Sequence, residues 1–169
     1  MSLENLMSTP KPIMDALSGS ESIHIDAPAE RIWDLVADIT RMGEWSPETI
    51  SAKWLSGFNR AHPGAKFRAV NKARWIRWQN TCTVVVAEKN RELAFLRPGL
   101  DGGCTWSFSL DQDDNGNGTT VTESFTQQHA PPRAYRALVG VLLGPGRMDA
   151  LQNGMRTSLR RLKTAAELT

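Results

Sequence analysis

The chain has 169 residues, of which 40% are hydrophobic and 22% charged, as is typical of one globular domain. Its 20 basic and 18 acidic residues give a net charge of +2, which is too even to indicate binding to nucleic acid. No apolar run approaches the roughly 20 residues of a membrane-spanning helix, and the N-terminus lacks the regions of a signal peptide. We therefore expect a cytoplasmic protein, either a monomer or a homodimer.

The first third of the chain predicts one strand and two short helices. Residues 1–19 have no clear period, and we interpret them as an N-terminal extension of a domain that covers residues 20–169. Residues 22–26 alternate between polar and apolar, as a strand does. Pro28 suits a helix start, and a second helical turn is expected to end near Gly43. The first helix has an apolar face formed by Ile32, Trp33, Leu35, Val36 and Ile39.

The middle of the chain predicts a meander of short antiparallel strands separated by turns rich in Gly, Pro and Asn. In the longest of them, alternation places Trp78, Cys82, Val84 and Val86 on one face. The most regular alternation is at residues 104–110. The predicted strands cover residues 50–55, 67–70, 76–86, 93–96, 104–110 and 119–127.

Residues 145–167 predict one long helix with apolar residues at steps of three and four. At 1.5 Å per residue it would extend about 33 Å, enough to cross a sheet. We expect this helix to be the one locally basic element of the chain. We interpret its basic face as solvated, and the alternative is that this face docks on a membrane surface. The basic residues are Arg156, Arg160, Arg161 and Lys163.

Five segments carry a resemblance to a known superfamily: IDAPAERIW at 25–33, WSPE at 45–48, PGAKF at 63–67, RELAF at 91–95 and GTTVTE at 118–123. With the order of the elements, they resemble the START-like superfamily, including the SRPBCC and bacterial polyketide cyclase/dehydrase-like groups. The resemblance implies an α+β helix-grip fold. In this fold a seven-stranded antiparallel sheet curves around a long C-terminal helix, with two short helices between strands 1 and 2. It identifies no reaction, since such families include carriers, receptors and cyclases.

The resemblance also implies an internal cavity between the sheet and the long helix. Sites that enclose a ligand have volumes of roughly 300–1,000 Å³. For each apolar residue the alternative is simple core packing, and for Trp45, near the expected cavity mouth, packing is the preferred interpretation. The candidate ligand-binding residues are Trp54, Phe67, Trp78, Phe95, Trp106, Phe108, Glu123, Phe125, Leu151 and Met155.

Glu123 is the candidate catalytic residue, because its alternation with Val121 and Phe125 directs it inward. A buried carboxylate is costly unless it is paired, hydrogen-bonded or protonated. The alternatives are a one-residue error of register or an ion pair with a nearby arginine. The three histidines are scattered and no cofactor motif occurs, so we expect neither a metal nor a cofactor.

Cys82 and Cys104 are expected to remain free thiols. In the sheet order that the resemblance implies, the strand at 93–96 lies between theirs, which separates them by about 9–10 Å. A disulfide needs Cα atoms within about 7 Å of each other.

Three functions remain open. The first is binding of a hydrophobic or amphipathic small molecule. The second is a cofactor-free polyketide cyclase or dehydratase that uses Glu123, with His129 as a further acid/base group. The third is an interaction module with a closed core, in which the apolar stretch 135–143 contacts a partner chain. A roomy pocket with two convergent titratable groups would favour the enzyme, and one without them the binding protein. An empty, well-packed core would favour the interaction module.

Overall fold

The computed structural model describes residues 17–99, 102–130, 132–135, 137–138 and 147–168. Within these residues, one antiparallel sheet and one long helix form most of the structure. The strands are β1 (Ser18–Ile25), β2 (Thr49–Trp54), β3 (Lys66–Ala73), β4 (Ile76–Glu88), β5 (Glu92–Arg97), β6 (Cys104–Gln112) and β7 (Thr119–Gln127). The helices are α1 (Ala29–Ala37), a 3₁₀ turn (Ile39–Arg41), α2 (Met42–Trp45) and α3 (Arg147–Glu167).

The seven strands form one sheet in the order β1-β7-β6-β5-β4-β3-β2. Strands β2 to β7 follow each other as a meander, and β1 is added beside β7 at the other edge. The short helices connect β1 to β2, and α3 packs against the sheet. This arrangement confirms the predicted helix-grip fold.

Strand β1 begins four residues earlier than the alternation predicted, because β7 is long enough to pair with its polar first half. Ser18 pairs with Thr126, and Gly19 pairs with Phe125. A side chain at Gly19 would place its Cβ 2.9 Å from the Phe125 ring, closer than packing allows. Glycine at this position therefore makes room for a large buried aromatic side chain.

A β-bulge in β4 corrects the predicted position of Val86. Val84 pairs with Phe95, but Val86 pairs with Ala94, so an extra residue, Val85, is inserted in β4. Beyond a bulge, the residues that face the core change from one parity to the other. Ala87 consequently packs against the core where Val86 was expected.

Helix α3 packs its apolar stripe against the sheet, with Met155, Leu159, Leu162 and Ala166 each at most 2% exposed. Polar contacts attach its last turns to the start of the domain. Lys163 Nζ donates to the carbonyl of His24, and the Asp26 amide donates to Glu167 Oε1, both at 2.8 Å. The last helix is thereby fixed to the first strand.

The two cysteines are free and buried, which confirms the prediction. Their strands, β4 and β6, lie on either side of β5. The apolar stretch 135–143 and the predicted helix start at residue 145 lie mostly outside the described residues. Among the helices in the described ranges, none is long and apolar enough to cross a membrane.

Candidate functional site

A cavity of about 110 Å³ lies between the sheet and α3. It is smaller than the roughly 300–1,000 Å³ expected for a site that encloses a drug-sized ligand. Helix α2, the segment at 46–48, strands β2 to β7 and the first half of α3 contribute to its wall. Seven of the ten candidate residues line it, namely Phe67, Phe95, Trp106, Phe108, Glu123, Leu151 and Met155.

The other three candidates, Trp54, Phe125 and Trp78, lie beside the cavity without lining it. The Trp54 ring contacts Phe67 edge to face, with 5.9 Å between ring centroids. Phe125 packs against Trp106 with 5.3 Å between centroids. Trp78 is half-buried opposite Asn71 in the β3–β4 register. The first two form a second layer that supports the cavity wall.

The aromatic wall follows from the strand register. Phe95, Trp106 and Phe125 are successive cross-strand partners on β5, β6 and β7, so their side chains share the core face of the sheet. Phe67 meets Phe95 edge to face with 5.2 Å between centroids. The sheet thus presents a largely apolar surface to whatever occupies the cavity.

Glu123 is the buried carboxyl in this apolar wall, and its residue is only 5% exposed. One oxygen accepts a hydrogen bond from Ser158 of α3, while Oε2 is buried without a hydrogen-bond partner. Burial raises the pKa of Glu123 from its ordinary value of 4.5 to about 8, and the Ser158 bond only partly opposes this shift. Near neutral pH the group is therefore mainly a neutral carboxylic acid that can donate a proton.

A nearby carboxylate explains why Glu123 has no ionic partner. Glu21 on β1 is the cross-strand neighbour of Glu123, so the two side chains share a face. Arg156 of α3 pairs with Glu21 at 2.8 Å, closer to solvent. Among the described residues no basic side chain forms an ion pair with Glu123, which leaves its burial uncompensated.

A group of polar residues in the cavity wall was not predicted from the sequence. Thr49 Oγ1 donates to Asn71 Oδ1 at 3.0 Å, and both residues are buried. In the amide orientation that satisfies both of its polar atoms, Asn80 accepts hydrogen bonds from Asn71 Nδ2 and Trp78 Nε1, each at 3.2 Å. One sequence signal could have revealed this group. Its asparagines occupy inward-facing positions of their strands, where the alternate residues on either side are apolar.

Arg97 and Cys82 complete the polar part of the wall. Arg97 Nε donates to Cys104 Sγ at 3.3 Å, which holds the guanidinium beside the cavity. Burial raises the pKa of the Cys82 thiol to about 12. A thiol of such high pKa is protonated at neutral pH and is a poor nucleophile.

His129 is not among the lining residues. Its amide donates to the carbonyl of Gly102 at 3.2 Å, at the turn between β5 and β6. A side chain at Gly102, where φ is +91°, would collide with the His129 carbonyl, so this close backbone contact requires glycine. Within the described residues, no group of three or more His, Cys, Asp or Glu side chains could hold a metal ion.

Solved structures share this fold over most of the chain. The Zhui aromatase/cyclase from Streptomyces sp. R1128 is 15% identical with a TM-score of 0.71, over 90% of this chain and 94% of that one. The di-domain ARO/CYC BexL from the BE-7585A biosynthetic pathway is 20% identical with a TM-score of 0.69. That match covers 90% of this chain but only 50% of BexL, so the chain spans half of that protein. Protein DR_A0006 from Deinococcus radiodurans is 15% identical with a TM-score of 0.64, over 90% and 98% of the two chains.

At these identities the structural similarity shows the fold alone. No curated protein sequence matches the chain significantly. The sequence model of one family, described as polyketide cyclase / dehydrase and lipid transport, matches residues 16–167. Because this match covers nearly the whole chain, the protein belongs to the polyketide cyclase / dehydrase and lipid transport family.

Proposed function

We propose that this protein binds a small hydrophobic or amphipathic molecule in the cavity and hydrogen-bonds it through the neutral carboxyl of Glu123. The observation that carries the proposal is the unpartnered Oε2 of Glu123, which is buried in a wall otherwise rich in aromatic side chains. A buried polar atom without a partner is costly, and a ligand that supplies the partner recovers that free energy on binding.

The size and chemistry of the cavity restrict the bound group. An apolar cavity of roughly 150 Å³ binds benzene, so about 110 Å³ suits a group of about one ring. A longer molecule would have to extend past Pro47 and Ala150, which are lining residues exposed to solvent. Since a protonated carboxyl donates a hydrogen bond, the polar end of the ligand should be an acceptor such as a carbonyl.

Paired probes test this proposal. Acetophenone carries a carbonyl acceptor, and ethylbenzene has a similar shape without one. At pH 6 we expect acetophenone to bind about 3–10-fold more tightly, the value of one hydrogen bond, and this preference should disappear above pH 8 as Glu123 ionises. NMR titration against the protein measures both affinities.

Two kinds of variant separate the contribution of the Glu123 carboxyl to probe binding from that of the cavity wall. Glu123→Gln keeps a donor, so it should retain the preference for acetophenone but lose its pH dependence. Trp106→Ala should change the affinity for both probes, whereas Trp75→Ala, at an exposed site outside the cavity wall, should change neither. Probe binding that occurs only in acid or denaturant would reflect a loosened core and would contradict the proposal.

The second candidate function is a cyclase or dehydratase in which Glu123 acts as a general acid. Its pKa of about 8 favours this function, since a group that titrates near neutral pH transfers protons efficiently. Within the described residues, however, the lining contains no histidine, and its other carboxylate, Glu48, directly precedes β2, which lies five strands away from β7 in the sheet. This is why we place binding first.

A dehydration assay tests the enzymatic candidate. In the loss of water from an aromatic β-hydroxyketone, Glu123 would protonate the departing hydroxyl, which leaves as water. The Glu123 carboxylate formed in this way would accept the proton from the carbon next to the carbonyl as the carbon–carbon double bond forms. The conjugated product absorbs in the near ultraviolet. If the protein catalyses this step, Glu123→Gln should lower the rate by roughly 10²–10⁴-fold while the probes still bind. Ser158→Ala, which removes only the hydrogen bond to Glu123, should have the smaller effect.

A further inference from the structure

The even net charge of the chain conceals a strong local imbalance, and the prediction that the last helix is the one locally basic element was wrong. Residues 49–87 contain seven of the 20 basic residues and none of the 18 acidic residues. This segment comprises β2, β3 and all of β4 except its last residue, Glu88, at one edge of the sheet. The basic residues on these strands and their turn are Lys53, Lys66, Arg68, Lys72, Arg74 and Arg77.

Strand register gathers these cations on the outer face of the sheet, away from α3. Phe67, Ala69 and Asn71 alternate as the buried residues of β3, so Lys66, Arg68 and Lys72 face outward. On β7 and β1 the same outer face presents mainly threonine and serine, and its carboxylates Glu88, Glu92 and Asp111 lie at the far ends of β4, β5 and β6. We call the outward-facing residues Lys53, Lys66, Arg68, Lys72 and Arg77 the basic face.

The basic face is built at a cost to folding. Lys53 lies directly opposite Arg68 in the register of β2 and β3, and Lys72 lies directly opposite Arg77 in that of β3 and β4. Like charges in such positions destabilise a sheet. Within the described part of the chain, none of these four residues forms an ion pair. Attraction to an external anionic surface would offset the repulsion.

One side of the basic face ends in an exposed tryptophan. Trp75 occupies the two-residue turn between β3 and β4 and is 71% exposed. Arg74 precedes it with φ at +55°, and Arg77 follows it on β4. Tryptophan is enriched at membrane interfaces, where its ring is buried at the headgroup level and its N–H remains hydrated.

We propose that the basic face and Trp75 dock the protein on an anionic membrane surface. The cations would contact lipid phosphates. Trp75, at the projecting end of the hairpin formed by β3 and β4, would enter the membrane interface. A nucleic acid or an acidic protein could satisfy the charges alone. The Trp75 side chain extends beyond the sheet beside two arginines, and a lipid interface can bury it while the arginines contact phosphates. For this reason we choose the membrane.

The hairpin lies next to the exposed rim of the cavity. The Lys72 amide donates to the carbonyl of Glu48 at 2.8 Å, and Glu48 and Pro47 line the cavity. Entry of the Trp75 end of this hairpin into the interface would therefore bring the rim close to the bilayer, so that an apolar ligand could pass between them. This consequence depends on the proposed function, but docking itself does not require an occupied cavity.

Flotation of the full-length protein with phospholipid vesicles tests the docking proposal. We expect binding to vesicles with 30% phosphatidylglycerol, little binding to pure phosphatidylcholine, and loss of binding as salt rises from 0.05 to 0.5 M. Lys72→Glu should weaken binding by about ten-fold, and Trp75→Ala by about five-fold or more. Arg91→Glu is the matched control, since the same charge change lies beyond the other end of β4, at most about 40 Å along the strand from Arg77.

The stability of Lys72→Glu separates a docking role from a structural one. The new carboxylate lies opposite Arg77, so the variant should melt at or above the temperature of the unaltered protein while its vesicle binding falls. Equal binding to neutral and anionic vesicles would overturn the proposal. So would binding to duplex DNA or to an acidic peptide without binding to vesicles. Because these assays use no cavity ligand, failure of the proposed function would leave their outcome unchanged.

Discussion

Glu123 shows how one side chain can be predicted from a strand while its chemical state cannot. Strict alternation with Val121 and Phe125 indicated the inward direction, because side chains in a strand have a period of two. Its partner Ser158 lies on α3, and the arginine that could have neutralised it is paired with Glu21. Both facts depend on tertiary packing, which local pattern does not contain.

The raised pKa of Glu123 makes stability depend on pH in a defined direction. The folded state holds the proton up to about pH 8, whereas the unfolded state releases it near the ordinary value of 4.5. The carboxyl therefore causes no loss of stability below pH 4.5 and an increasing loss as pH rises to 8. Relative to Glu123→Gln, the free energy of unfolding of the unaltered protein should fall by about 2–4 kcal/mol between pH 5 and 8.

Urea unfolding of both proteins across this pH range measures the difference. Other titrating groups are common to both proteins and cancel in the comparison. If the difference in free energy of unfolding stays constant from pH 5 to 8, Glu123 titrates near its ordinary pKa. The proposal that its neutral carboxyl donates a hydrogen bond would then be wrong.

Helix α3 forms one wall of the core, so its apolar stripe should determine stability. Leu159 is 2% exposed, and Leu159→Ala should lower the free energy of unfolding by roughly 2–5 kcal/mol. Arg160→Ala, at the exposed neighbouring position, should change it by about 0.5 kcal/mol or less. Denaturant melts of the two variants make the comparison. Equal effects at the two positions would contradict the packing of α3 against the sheet.

At the level of elements, the sequence predicted type and order well and local irregularities poorly. Alternation located six strands of the meander, but the bulge at Val85 reversed its parity and moved Ala87 to the core. The early start of β1 depends on the length of β7, which is a property of the partner strand. The basic face was not predicted either, because its cations are separated along the sequence and come together only when β2, β3 and β4 pair.

At the scale of the whole molecule, the two thiols report on the integrity of the sheet. Cys82 and Cys104 are 3% and 6% exposed on strands inside the sheet. We expect two reactive thiols per chain in denaturant and almost none in the native protein, with native labelling limited by global unfolding. Mass spectrometry after iodoacetamide pulses measures this, and Leu159→Ala should accelerate the labelling. Fast native modification of either cysteine would instead reveal local opening of β4 or β6.

The pairing of β1 with β7 has a consequence for synthesis on the ribosome. Strand β1 emerges first, yet its partner strand follows roughly 100 residues later, and α3, which covers both, comes last. At about 5–20 residues per second, Ile23 and Ile25 wait for roughly 5–20 s before their partners Val121 and Thr119 exist. The meander from β2 to β7 can pair during translation, but its apolar face stays uncovered until α3 has been synthesised. Nascent chains stalled before α3 should therefore be the form of this protein that chaperones bind most.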